Sequence, residues 1–156
     1  MSNASPPATR PTAETGLSDL ERERYARHIQ LEQVGPQGQA RLKAARVLVV
    51  GMGGLGSPVL MYLAASGVGH ITVCDFDRIE LSNLQRQIAY RTEDIGRDKV
   101  EAAVDTARRL NPHVTVEPVG WAMDGDDLSA AVRNADIVVD ASDNFETRFA
   151  LNRECV

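Results

Sequence analysis

Gly51-Met52-Gly53-Gly54-Leu55-Gly56 follows a run of apolar residues and matches the GxGxxG pattern, with an extra glycine at its fourth position. Missing β-carbons allow a tight turn and a close approach by phosphate, while the start of a following helix offers amide donors and a favourable dipole. Asp75 lies about twenty residues on, at the end of the next apolar run, where a carboxylate accepts hydrogen bonds from ribose hydroxyls. The plain structural alternative is that the glycines only allow close helix–strand packing. NAD, FAD and ATP are all compatible with these residues.

The residues after Asp75 discriminate between them. In "DFDRIELSNLQRQ" a second acid, Asp77, is followed by Ser82, Asn83, Leu84, Gln85, Arg86 and Gln87, and Lys99 falls on the first turn of the next helix. A hydride-transfer enzyme needs a flat slot for nicotinamide, not cations around a phosphate chain. A guanidinium fixed in a polar loop beyond the ribose-binding strand suits a triphosphate. Asp143 and Asn144 then stand at the carboxyl end of a fourth apolar run, the sheet edge where ligands collect. A carboxylate among phosphate-binding cations would repel the nucleotide unless a metal intervened, so Asp143 is read as a Mg²⁺ ligand. Each residue alone has a structural reading: Lys99 as a solvated helix lysine, Arg86 paired with Glu80, Asp143 as a helix cap. Their joint placement at strand ends favours ATP.

Those side chains need a scaffold. Residues 47–50 form a continuous apolar run, as expected for a strand covered on both faces. Ser57-Pro58 marks a helix start and Gly67 its stop. Residues 71–75 give a second strand. Val100, Ala103, Val104, Ala107 and Leu110 make a helical stripe over residues 97–110, closed by Asn111-Pro112. Residues 114–116 are a weaker strand, 126–134 a helix, "ADIVVDASD" a fourth strand with its loop, and 146–156 a last helix. The alternation predicts an α/β fold: a Rossmann-like, doubly wound, mainly parallel sheet. N-terminal helices precede it. Ser18 and Glu21 form a capping box, and Gly35-Pro36 with Gly38 are expected to break the chain before a short helix at about 39–44. Residues 1–17, rich in Pro, Ala, Ser and Thr, are expected to be a disordered tail. Residues 18–45 then hold the N-terminal helices and 46–156 the βαβ core, a partial domain expected to continue beyond Val156.

A net charge of −5 argues against a nucleic-acid surface. Cys74 and Cys155 form no CxxC pair, which leaves neither a disulfide framework nor a tetrathiolate zinc site in this stretch. Cys74 reads as a small buried hydrophobe. With no membrane span and no basic-then-apolar leader, a cytoplasmic protein is expected. His28, His70 and His113 are not positioned as general bases.

"RYARHIQL", "VLVVGMGGLGSPV", "CDFDRIELSNLQRQ", "GRDKVEAA", "LNPHV" and "DASDNFETR" together resemble the ThiF/MoeB adenylyltransferases, bacterial relatives of ubiquitin-activating enzymes, over roughly residues 20–156. The wording "LSNLQRQ" is closer to the sulfur-carrier activators than to the family's tRNA-modifying dehydratases. The resemblance implies ATP-dependent adenylylation of the C-terminal glycine carboxylate of a small ubiquitin-like sulfur carrier of MoaD or ThiS type, serving molybdopterin, thiamine or related sulfur transfer. It implies that Gly54 and Asp75 hold the nucleotide and that Ser82, Asn83 and Arg86 contact ribose and phosphates. Lys99 would bind phosphate, and Asp143 would serve the metal beside Asn144. Arg27, from the "RYxRQ"-like motif, would reach into the site of a partner protomer in a homodimer; His28 stands where glutamine is commoner. Zinc-binding CxxC pairs and a sulfur-handling cysteine, where relatives have them, belong to a region beyond this one. An NAD-dependent oxidoreductase and a non-catalytic nucleotide-binding fragment are the competing readings.

Overall fold

The computed structural model describes residues 16–156. They divide into two units, one ending at Ala40 and one running Arg41–Val156.

In the first unit, α1 (Asp19–Arg24) starts at the predicted capping box: Ser18 Oγ accepts from the Glu21 amide at 3.2 Å, and Glu21 Oε2 accepts from the Ser18 amide at 2.8 Å. After α2 (Ala26–Ile29), α3 (Gly35–Ala44) begins earlier than the sequence reading expects. Gly35 takes φ +59°, and proline is tolerated in a first helical turn because its missing N–H would be unpaired there anyway. The glycines and proline thus open this helix instead of interrupting the chain before it. Of the expected tail, residues 1–15 lie outside the described residues, while Leu17 is buried.

The second unit is a four-stranded parallel sheet in the order β3-β2-β1-β4, built from β1 (Arg46–Val50), β2 (His70–Cys74), β3 (Thr115–Val119) and β4 (Ile137–Asp140). β1 is central, pairing Val49 with Val73 on one side and Val139 on the other, which is why residues 47–50 are all apolar while Arg46, at its start, is exposed. Alternate residues go to opposite faces. Val47, Val49, Ile71 and Val73 join one core with Leu60 and Ala64 of α4 (Gly56–Ser66) and the stripe of α5 (Lys99–Leu110). Leu48, Val50 and Cys74 join a second core with Leu128 of α6 (Gly125–Arg133) and Leu151 of α7 (Phe145–Cys155). Gly67 stops α4 at φ +85°, as predicted. β3 runs three residues past the predicted strand and includes Pro118, which lacks a ladder donor; its place at the sheet edge accommodates this.

Candidate nucleotide site

Consecutive strands run from β1 outward to β2 and β3, and the chain then crosses back to lay β4 on the other side of β1. That reversal opens a crevice at the carboxyl ends of β1 and β4, the place where open α/β sheets bind ligands. A cavity of about 620 Å³ lies there, within the range of small-molecule sites.

The glycine loop floors it, and its glycines divide into two kinds. Gly51 turns the chain out of β1 at φ +94°, and a β-carbon there would lie 2.6 Å from the Ala141 carbonyl oxygen. At Gly56 a β-carbon would lie 1.9 Å from the Gly51 carbonyl oxygen. These two allow backbone to pack on backbone. Gly53 and Gly54 face side chains only: Gln87 Nε2 is 3.8 Å, and Arg86 Cδ 3.3 Å, from their β-carbon positions. The middle glycines leave the loop backbone open to the cavity that they line.

The Met52 peptide is held from both sides. Its N–H donates to Asp75 Oδ2 at 2.7 Å, and its carbonyl accepts from the Tyr90 hydroxyl at 2.7 Å. Asp75 Oδ1 also accepts from the Asp77 amide at 2.8 Å. A carboxylate has roughly four acceptor sites, so Asp75 keeps capacity for ribose hydroxyls while it organises the loop. Burial drives the Tyr90 phenol far above its ordinary pKa, with the charges of Asp75, Asp77 and Asp94 acting in the same sense; it stays a donor. Burial also pushes the Cys74 thiol up, and its Sγ–H donates to the Trp121 carbonyl at 3.2 Å.

On the β2 side, Lys99 is no solvated lysine. Its side chain is 6% exposed, with Nζ 2.7 Å from Asp77 Oδ2 and 4.0 Å from Asp75 Oδ2. The turn before it is tied down by Arg97, which donates to Asp105 at 2.6 Å and Asp94 at 2.7 Å. Those bonds raise the Arg97 pKa, and the Arg97 bond chiefly lowers that of Asp105. Arg86 does not pair with Glu80: it lies across Gly54 and donates to the Ser82 carbonyl at 3.3 Å, while Glu80 accepts from Ser82 Oγ. Gln87 is buried beside Gly53, with Oε1 unpartnered among the described residues, an acceptor of the kind that marks ligand sites.

On the β4 side, Asn144, not Asp143, caps α7, accepting from the Thr147 amide at 2.9 Å. Asp143 is exposed in the cavity wall and has no hydrogen bond or ion pair among the described residues. It is thus the lining carboxylate free for a cation that keeps water and phosphate ligands, as Mg²⁺ does. Among the described residues no three His, Cys, Asp or Glu gather as a ready-made metal cage.

The cavity therefore brings together Gly51, Gly53, Gly54, Leu55, Asp75, Asp77, Asn83, Arg86, Lys99, Asp143 and Asn144 of the predicted set. Gly56 lies beneath it as packing, Leu84 leans on the core, and Ser82 and Gln85 are exposed outside its wall. Arg27 belongs to the first unit, where it is exposed and donates to Gln30 Oε1. No histidine lines the cavity. Sequence reasoning missed the apolar part of the lining, Phe76, Ala122, Met123 and Leu128. It also missed Tyr90, which no motif flags, and Arg148, whose i+4 spacing from Asn144 was a usable signal.

Strand order, glycine loop and cavity define a doubly wound α/β domain with its ligand site at the switch point. The chain belongs to the ThiF family, whose pattern matches residues 25–156. It is 50% identical over 139 residues to the SAMP-activating enzyme E1 of Haloferax volcanii, covering 89% of this chain and 52% of that one. It is also 50% identical over 136 residues to the sulfur carrier protein adenylyltransferase of Thermus thermophilus, covering 87% of this chain and 50% of that protein. Among solved structures, the E. coli tRNA N6-threonylcarbamoyladenosine dehydratase TcdA in complex with ATP matches at TM-score 0.82 and 30% identity, covering 88% of this chain and 56% of that chain. The chain spans about half the length of the relatives that it matches. Among the described residues no helix is long and apolar enough to cross a membrane.

Proposed function

We propose that the protein carrying this chain uses ATP to adenylylate the C-terminal glycine carboxylate of a small ubiquitin-like sulfur carrier of MoaD or ThiS type. The observation that carries this reading is the cavity's division of labour. Apolar lining residues such as Phe76 and Met123 suit a base, cations at Arg86 and Lys99 suit phosphates, and the unclaimed Asp143 suits a metal. A relative named as a sulfur carrier protein adenylyltransferase at 50% identity favours a carrier over the substrate of the dehydratase at 30%.

The chemistry asks little of acids and bases. A carboxylate oxygen attacks the α-phosphorus and pyrophosphate leaves, so catalysis is positioning and charge neutralisation. The Met52 clamp presets the loop backbone against the phosphates, and Asp75 meets the ribose. Asn83 and Asn144 hold the nucleotide from either side. Asp143 would hold Mg²⁺, which when bound neutralises phosphate charge. In this reading Arg27 completes the site of a partner protomer in a cytoplasmic homodimer.

The test is carrier-dependent ATP–pyrophosphate exchange in the full-length protein. Arg86→Ala and Asp143→Ala are each expected to slow exchange by roughly 10²-fold or more, the scale of one lost transition-state contact. Undiminished exchange in both variants rejects the assignment. Thermal protection by NAD(H) in place of ATP–Mg²⁺ would favour the oxidoreductase instead.

A further inference from the structure

Arg148 is the cavity cation without a role in the reading above. It sits one turn into α7, on the β4 side of the glycine loop, opposite the bank formed by Asp75, Asp77, Arg86 and Lys99. Its Nη2 donates to the Ser142 carbonyl at 2.9 Å, and its guanidinium carbon stands 5.9 Å from the Phe145 ring centroid. Both are neutral partners. No carboxylate pairs with Arg148 among the described residues, and the same holds for Arg86. Lys99, by contrast, is matched by Asp77.

The cavity thus carries two uncompensated guanidinium groups on opposite sides of one glycine loop. Uncompensated arginines in a cleft bind anions, and their planar donor fork fits a carboxylate or phosphate edge on. Adenylylation brings together two anions that repel each other. Arg86 lies over the open glycine Gly54, where phosphate has closest access to backbone, and so is committed to the nucleotide. We propose that Arg148 receives the other anion, the carboxylate of the carrier's C-terminus, and aligns it for attack. The inference rests on the adenylylation reading. One carboxylate oxygen bonds to the α-phosphorus, the bond from that phosphorus to the bridging oxygen breaks, and pyrophosphate departs with the electron pair. No proton has to move. The Ser142 bond uses one edge of the guanidinium and holds the remaining donors in position, so the group is set before the carboxylate arrives.

The experiment uses the full-length protein with a ubiquitin-like carrier from the same genome, prepared with a free C-terminal carboxylate and as its C-terminal amide. Exchange is measured against carrier concentration for wild type, Arg148→Gln and Arg148→Lys, and ATP affinity is measured separately without carrier. Arg148→Gln is expected to raise the carrier KM by roughly 10- to 100-fold, the range for losing a charged hydrogen bond, with ATP affinity unchanged. Arg148→Lys, which keeps the charge and loses the fork, recovers part of that loss. An unchanged carrier KM in both variants overturns the proposal. So does an ATP affinity that falls in step with exchange, because Arg148 would then only brace the loop through Ser142. Wild type that binds ATP yet gives no exchange with the free-carboxylate carrier refutes the adenylylation reading itself, and this inference with it.

Discussion

Tyr90→Phe isolates one hydroxyl that holds the glycine loop. The Tyr90 hydroxyl donates 2.7 Å to the Met52 carbonyl, and the residue is 6% exposed, so water cannot replace the donor. Phenylalanine keeps the ring's packing and leaves a buried acceptor unpaired, which costs about 1–3 kcal/mol. For a chain of this size a loss of that order lowers Tm by about 3–9 °C. The pH dependence makes the test specific. The folded phenol's pKa lies above its ordinary value of 10.0, so its contribution is complete below pH 10 and declines as rising pH ionises the unfolded phenol. Wild type therefore loses about 1.4 kcal/mol per pH unit above that point through this residue alone, and the variant does not. The gap in Tm between the two is expected to be full at pH 7–9 and to narrow steadily above pH 10. Because Met52 also anchors the loop through Asp75, ATP affinity should fall about two- to tenfold. Calorimetric melts at stepped pH, with ATP titrations at pH 7.5, supply both readouts. Equal Tm values at neutral pH would show that the hydroxyl does not hold the loop, and a gap that stays constant through pH 11 would show that the phenol is not buried as described.

The glycines give a paired contrast. Gly56→Ala sets a β-carbon 1.9 Å from the Gly51 carbonyl oxygen and is expected to abolish cooperative melting, whereas Gly54→Ala meets only the flexible Arg86 side chain at 3.3 Å. The second variant should melt like wild type yet lose ATP protection in a thermal-shift titration. Lys99→Met leaves Asp77 able to reach water, so melting should change little while pyrophosphate exchange falls roughly 10²-fold; retained exchange would assign Lys99 to structure. Arg97 lowers the Asp105 pKa below its ordinary 3.8, which adds stability above that value and loses it as pH falls through the folded pKa. Asp105→Asn should thus lower Tm slightly at pH 7, with the difference closing below pH 3.8 in matched melts.

How much of this was legible in the sequence depends on what each residue answers to. The order β1 to β4, the α4 stop at Gly67 and the α5 stripe were readable because local patterning and burial agree there. Val47 and Val49 face one core and Leu48 and Val50 the other, so a buried central strand declares itself as an apolar run. Edge strands do not: β3 exposes Thr115 and Glu117 and carries Pro118, which blurred its boundary. The glycine loop, Asp75, Arg86, Lys99 and Asp143 were readable because charged or β-carbon-free residues at strand ends have few structural uses. What was invisible depends on long-range approach. Phe76 and Met123 line one cavity from segments far apart in sequence, and Tyr90 reaches Met52 across 38 positions. The alternative reading of Asp143 as a cap of the last helix fails for a local reason: Asn144, one residue later, has the extended backbone and the side-chain acceptor that a cap needs.

The charges around the loop argue for group transfer over hydride transfer on energetic grounds. Moving a hydride does not itself require that two anions be joined, and so sets no demand for a second cation beyond those that hold a diphosphate. Joining a carboxylate to a phosphate chain has the reverse demand: at about 4 Å two unit charges repel by about 4 kcal/mol in a partly screened site, and more when water is excluded. Cations on both sides of the approach line offset that term where the two anions meet. Lys99 is ion-paired with Asp77, whereas Arg86 and Arg148 have no ion pair among the described residues, and these are the two lining groups assigned to the two anions. A double substitution, Arg86→Gln with Arg148→Gln, separates the cases. Independent anion sites predict that the ATP affinity loss tracks Arg86 alone and the carrier KM tracks Arg148 alone, with the two effects adding. A single shared phosphate site predicts strong non-additivity in ATP affinity, which isothermal titration of the four proteins would reveal.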